Sequence, residues 1–267
     1  MKNFTVILII AIFGYNCNKH YIRQSKYPEI PKEIQQKIQN KKIALIGFYP
    51  FHAYQTGSYT SGRTTYTTMT AVLDYKNSTK PFIKQFQPID QIKESGLNTG
   101  VPENQVKEFV KFYLEKVKKS GLDELSKVVD AKKIDDKTTK LSLKKRDIDY
   151  YVVGIHGPPF IKSSTAGIGK FFLSVFFFMG TAGTVPLWGD KAVTSEFHVF
   201  DKNLQFVKKY EYSNVYNVLT AWWGNSDEGS LGTNDNDAAR KFKPNLYKPD
   251  TLDFAYEFSE FLASQPK

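Results

Sequence analysis

Apolar residues recur at every fourth position at Ile30, Ile34 and Ile38, next to Pro28 and Pro31, and predict a short amphipathic helix starting near Pro31. The run Lys42 to Tyr49 (KIALIGFY) is nearly all apolar and ends at Pro50, as expected of a central strand buried on both faces. Gly, Ser, Thr and Tyr dominate Gln55 to Arg63, which reads as a flexible loop. Thr64 to Tyr75 is β-branched and alternating, and Lys76-Asn77-Ser78 turns it toward Lys80 to Phe86 as a hairpin. Pro102 opens the clearest helix, with Val106, Phe109, Val110, Tyr113, Leu114 and Val117 on one stripe and Gly121 as its C-terminal cap. A second helix carries Leu122, Leu125, Val128 and Val129.

Residues 131–147 (AKKIDDKTTKLSLKKRD) are charged and weakly periodic, so they read as a surface connection before a strand at Tyr150 to His156. Val193 to Phe200 and Leu204 to Tyr212 alternate across Asp201-Lys202-Asn203, where Asn203 suits a left-handed turn, and predict a second hairpin. Gly224 to Asp237 is a polar, low-complexity loop. A last helix runs from about Thr251, capped by Asp250, with Phe254, Phe258, Phe261 and Leu262 inward. Together these elements predict an α/β (α+β) fold: one domain over 31–267, a mixed sheet with two hairpins packed against amphipathic helices. Its expected core includes Leu45, Phe48, Val110, Val153, Phe197, Val199 and Phe258.

One segment does not orient itself. Phe171 to Gly189 (FFLSVFFFMGTAGTVPLWG) is uncharged over nineteen residues, but Gly180, Gly183 and Pro186 interrupt its second half. Three readings compete: a buried helix followed by an inner strand at Thr184 to Trp188, a loop or helix dipping into the membrane beside the lipid anchor through Phe171, Phe172, Phe176, Phe177 and Phe178, and a true span. The breakers favour the first, and a span would divide the folded part between compartments.

At the N-terminus, Lys2 precedes the ten apolar residues Phe4 to Phe13, too few for the roughly twenty that cross a bilayer as a helix. A cleaved signal peptide over residues 1–16 fits better. The chain's single cysteine, Cys17, follows immediately, and an unpaired cysteine after an apolar signal suits lipidation better than a disulfide. Gly14-Tyr15-Asn16-Cys17 resembles the lipobox of bacterial lipoproteins. Gly14 and Asn16 stand where the common pattern has Leu and a small residue, a looser form similar to that of spirochaete lipoproteins. The resemblance implies an acylated Cys17, a bilayer as partner and a place in the cell envelope. Asn18 stands where Asp would favour inner-membrane retention in enteric bacteria, so it implies the outer membrane first. Residues 17–30 then read as a polar tether.

The formal charge of +10 attracts polyanions in general, and export turns that toward envelope polyanions or lipid headgroups rather than nucleic acid. The chemistry is sparse. His20, His52, His156 and His198 share no metal-ligand spacing, and no metal or cofactor is expected. His198 falls on the polar face of its strand and reads as solvated. His156 follows a buried strand and so sits at a sheet's carboxyl edge, where α/β proteins often bind ligands; with His52 it is a speculative ligand-binding residue. Ser142-Leu-Lys-Lys145 matches S-x-x-K without its companion motifs, and Thr165 to Lys170 lacks the spacing of a phosphate loop. Asp227, Glu228 and Asn234 to Asp237 lack the register of a calcium loop.

The element order, with Thr184-Val-Pro-Leu-Trp188 before a hairpin, resembles small α/β lipoproteins of bacterial envelopes. This implies a binding or assembly role, on an envelope protein or polyanion, with no functional residue carried over. The alternative is an exported, hydrolase-like enzyme using His156 or His52 as base.

Overall fold

A computed structural model describes residues 17–21, 24–27, 29–61, 64–117, 121–134, 139–158, 160–161, 165–181, 184–221 and 244–265. The signal peptide expected at 1–16 and the polar loop at 224–237 lie outside the described residues. In chain order the elements are β1 (Cys17–Tyr21), α1 (Lys32–Ile38), β2 (Ile43–Tyr49), β3 (Phe51–Ser61), β4 (Thr64–Leu73), a 3-10 turn (Lys80–Phe82), β5 (Gln87–Pro88) and β6 (Glu94–Asn98). There follow α2 (Glu103–Val117), α3 (Leu122–Val128), β7 (Val129–Lys133), β8 (Thr139–Arg146), β9 (Tyr150–His156), β10 (Phe160–Ile161), α4 (Thr165–Gly180), β11 (Leu187–Asp201), β12 (Phe206–Ala221) and α5 (Lys248–Ser264).

The fold is mixed α/β. Its main sheet runs β1-β12-β11-β9-β2-β5, with β10 on β11. β2 is parallel to β9 and β5, while along β9, β11, β12 and β1 each strand is antiparallel to its neighbour. Alternation sends Ala44, Ile46, Tyr151, Val153 and Phe200 to the face covered by α2 and α3. Ile43, Leu45, Val152, Phe197 and Val199 go to the face covered by α1 and α5. Both faces of β2 are thus buried, which explains its uninterrupted apolar run. Each Leu or Phe so enclosed contributes about 1.5–3 kcal/mol relative to exposure. Of the expected core, Leu45, Phe48, Val153, Phe197, Val199 and Phe258 are fully enclosed, and Val110 packs against the α2 side half-buried.

A bulge interrupts β2 where it meets Gly154 of β9. Gly47 and Phe48 take φ of +79° and +65°, and the pairing slips between Gly47 and Tyr49. Left-handed backbone at a bulky residue costs on the order of 1–3 kcal/mol and persists only where the surroundings hold it. Here the extra residue reverses the alternation: Phe48 joins the α5 side beside Leu45, and Tyr49 packs on the α2 side beside Ile46.

Several expectations are corrected. Gln55 to Arg63 is largely strand: β3 pairs with β4 from Phe51↔Leu73 to Ser61↔Thr64, so Thr64 to Leu73 turns back on what precedes it, and Lys80 to Phe82 is a 3-10 turn. Thr and Tyr favour strands, and their polarity mimicked a loop. Residues 131–147 contain most of an antiparallel β7–β8 pair, to which β6 adds in a small separate sheet. Its charges sit on strands open to solvent on one face. The expected tether is partly fixed: Cys17 to Tyr21 pairs with β12, Asp253 on α5 accepts bonds from Ser25 Oγ (2.6 Å) and the Lys26 N–H (2.7 Å), and Ile30 is buried. α5 begins at Lys248 with Tyr247 before it, so Asp250 is inside its first turn rather than its cap. Gly121 precedes α3 with an ordinary φ of −84° instead of closing α2. In the long hairpin the left-handed residue is the buried Leu204, one position beyond Asn203.

A methyl group at Gly154 would stand 2.6 Å from the Phe48 ring, whereas one at Gly189 meets nothing within 4 Å. Gly154→Ala is therefore expected to cost about 1–3 kcal/mol by overpacking, and Gly189→Ala less than about 0.5 kcal/mol, in urea unfolding followed by circular dichroism.

Candidate functional site

His156 ends β9 at the carboxyl edge, as the sequence placed it, but it is enclosed, with 1% of its surface exposed. Tyr247 stacks on its ring at 4.2 Å, and Phe48 and Phe197 meet it edge-on. Its Nδ1 lies 3.0 Å from Ser195 Oγ and its Nε2 2.8 Å from Thr79 Oγ1. Ser195 Oγ donates to Asp250 Oδ2 at 2.8 Å, and Asn214 Nδ2 donates to Asp250 Oδ1. The hydroxyl proton of Ser195 is thereby committed to the carboxylate. His156 must then donate from Nδ1 and accept at Nε2 from Thr79, which fixes one neutral tautomer. Burial pushes its pKa down to about 3.

Chemically this is not a hydrolase triad. There the histidine lies between nucleophile and carboxylate, whereas here the serine does, and Ser195 has no exposed surface. The network joins β9, β11, β12, α5 and the segment before the 3-10 turn by buried hydrogen bonds. Ser195 and Asp250 were missed in the sequence, although Ser195 is in phase with the inward Val193, Phe197 and Val199, a polar residue at a core position.

A second buried network hangs on Glu124 of α3, 3% exposed. It accepts from the Gly47 N–H (2.8 Å), Tyr113 Oη (2.9 Å) and Lys80 Nζ. Burial and then the Glu124 charge raise the Tyr113 pKa. A carboxylate with three donors in the interior is satisfied, and removing one partner strands the charge. Both Glu124 and Lys80 are enclosed, with side chains 3% and 10% exposed.

His198 departs from expectation. It is 8% exposed, its Nε2 is 3.0 Å from Glu196 Oε2, and its ring packs on Phe112 at 4.7 Å, because α2 covers that face of β11. Burial lowers its pKa despite the opposing carboxylate. His52 lies in β3 in register with Val72, and its side chain falls outside the described residues.

The surface is unusual at α4, the segment whose orientation the sequence left open. Ser174, its polar interruption, is the buried residue among the described side chains of the helix and accepts from the Trp188 N–H at 3.2 Å, holding the helix against β11. Leu173, Phe176, Phe177 and Met179 turn outward with 60, 72, 48 and 75% exposure, joined by Val185 and Trp188. This overturns burial as the reading of the helix for these side chains. Phe178 is half-buried, the side chains of Phe171 and Phe172 lie outside the described residues, and the strand starts at Leu187 rather than Thr184. Sixteen residues make a helix of about 24 Å, short of a hydrocarbon core of about 30 Å, and no described helix is long and apolar enough to cross a membrane. Contiguous exposed aromatics of this kind mark protein or lipid contact sites.

Register relates this face to Cys17. Leu187 opens β11 opposite Thr220, and Cys17 opens β1 opposite Ala221. Cys17 therefore lies at the end of the sheet from which α4 feeds into β11. On the α1 side, an open groove is lined by Ile30, Ile38, Phe82 and Tyr256, with Lys84 and Lys248 among its polar residues. Among the described residues no group of His, Cys, Asp and Glu could hold a metal. Compared with family models, curated proteins and solved structures, the chain matches none.

Two measurements check the buried networks. The unfolded state binds a proton on His156 below about pH 6.5 while the folded state resists it down to about pH 3. Stability should be full above pH 6.5 and fall by about 1.4 kcal/mol per unit toward pH 3, with a shallower slope in His156→Gln, read by urea unfolding across pH. Lys80→Met leaves Glu124 buried without its cation and should cost about 3–5 kcal/mol in the same assay, whereas Lys80→Met with Glu124→Gln should recover part of the loss.

Proposed function

We propose that this chain is an exported lipoprotein of a bacterial envelope, outer membrane first, that is anchored by lipid on Cys17 and rests the α4 face in the bilayer surface while binding or assembling an envelope partner. The observation that carries the reading is that an exposed row of Leu173, Phe176, Phe177 and Met179 shares one end of the sheet with Cys17. A single acyl chain holds a protein only marginally, and lasting attachment takes a second contribution, further chains or an inserting surface. Aromatic side chains suit the headgroup boundary, and the net charge of +10 favours anionic headgroups. The groove beside α1 supports a binding role. The enclosure of His156 weighs against that histidine as the base of the hydrolase alternative.

Radioactive palmitate fed to cells making the full chain should label it, and Cys17→Ala should abolish the label. Equal labelling of both would refute the anchor. Phe176→Ser with Phe177→Ser should leave the melting temperature within about 2 °C, since both side chains are open to solvent, but weaken liposome binding of an unacylated Cys17→Ala chain about tenfold or more. Loss of folding would instead show that these rings belong to the core.

A further inference from the structure

The ribbon β3–β4 differs from every other described part of the chain. Phe51 to Leu73 spans 23 residues with a single formal charge, Arg63, in a protein of which 24% is charged. Seven threonines and three tyrosines supply most of its polarity. The strands are 11 and 10 residues long, and in the described structure they pair only with each other. Among the described residues, each therefore has one edge with no neighbouring strand.

Elsewhere the molecule blunts its edges in the usual ways. The outer strands of the two larger sheets carry Lys19 on β1, Pro88 on a two-residue β5, Glu94 on β6, and Lys132 and Lys133 on β7. On β3 and β4 the register slip between Gln55 and Gly57 is one such device, but neither strand carries a Lys, Arg, Asp, Glu or Pro. A long, uncharged, β-branched edge left in water recruits other strands, and a two-stranded ribbon alone is marginally stable. Such an edge is explained by a place where it is paired.

Position and length indicate which. Pro50 alone separates the ribbon from β2, and the Asp74 N–H bonds the Pro50 carbonyl at 2.8 Å to close its base. The ribbon thus leaves from the carboxyl ends of β2 and β9, the end of the sheet that also holds Cys17 and α4. A strand that crosses a bilayer needs about 9–11 residues, the length found here. Tyr59 is 62% exposed and stands opposite Tyr66, close to the turn, where barrel strands place aromatic residues at the headgroup boundary.

We propose that β3–β4 is a membrane-inserting hairpin whose open edges pair with the same ribbon of further copies of this chain, closing a β-barrel that passes polar solutes. Closure by further copies follows from the solvent: hydrocarbon tolerates no unpaired backbone N–H or C=O, so one hairpin cannot enter alone. The inference rests on the membrane attachment proposed above.

The test uses the full acylated chain, taken from membranes in detergent and reconstituted into phosphatidylethanolamine–phosphatidylglycerol vesicles loaded with calcein. Wild type should float with the vesicles, release the dye, and give glutaraldehyde cross-links of more than two copies. Thr68→Lys, alone and with Thr70→Lys, on the face of β4 that carries Tyr66, should float as wild type but release dye at least about tenfold more slowly, because a cation on the lipid-facing side of a bilayer-crossing strand opposes insertion. In a Tyr59→Cys chain, an environment-sensitive fluorophore should shift to the blue on vesicle addition. Wild type that floats but retains the dye, stays monomeric and leaves that fluorophore unshifted overturns the hairpin and spares the lipid anchor. Equal release by the lysine variants also overturns it, and points to the ribbon as an arm for a protein partner. Wild type that fails to float overturns both readings.

Discussion

The bulge at Gly47 and Phe48 is the constraint on which both buried networks depend. Its reversed alternation drives Phe48 into the α5 side, against the bare Gly154, and turns the Gly47 N–H toward Glu124. On the other side, the Phe48 carbonyl accepts from the Thr79 N–H at 3.0 Å, and the Thr79 hydroxyl meets His156. One irregular pair of residues therefore connects α3 and Lys80 to β9, β11 and α5. The left-handed backbone at Phe48 is held by the bonds from the Gly47 N–H to Glu124 and from the Thr79 N–H to the Phe48 carbonyl.

Around this centre the usual distribution of polarity is inverted at one end of the sheet. Histidine, aspartate, glutamate and lysine are enclosed between the sheet and its covering helices, whereas Phe176, Phe177, Leu173 and Met179 lie outside. The enclosed groups are hydrogen-bonded, so their burial is structurally coherent. The outward apolar groups have no such account within the chain, and they occur where β11 and β12 run past the end of β9. Stability and contact with the surroundings are thereby assigned to different parts: the first to the sandwiched sheet, the second to what projects from its carboxyl edge.

What the sequence revealed follows the range of the forces involved. β2, β9, α2 and the β11–β12 hairpin were legible because each encodes its own burial in a short period, two or 3.6, and packs as that period directs. The ribbon was misread at Gln55 to Arg63 because the residues that make it strand-forming also populate loops, and the deciding information, its pairing with Thr64 to Leu73, is not in that window. Residues 131–147 failed similarly, since lysines on an exposed strand resemble lysines on a connection. In α4, phenylalanines on every side gave no polar face to orient it, and the one informative residue, Ser174, points inward. Sequence located His156 at its edge but not its partners, which come from positions 79, 195 and 250 and meet only in the folded chain.

The stretch after Cys17 has a mechanical consequence. β1 is laced to β12 over its five residues, Ser25 and Lys26 are bonded to Asp253, and Tyr27 stacks on Tyr256 at 4.0 Å. A lipid on Cys17 would therefore mount the domain instead of leashing it. A leashed protein samples all orientations and searches a hemisphere for partners, losing rotational entropy at each encounter. A mounted one keeps its height and heading, so that neighbours on the same surface meet already aligned, and association becomes a matter of lateral diffusion in two dimensions.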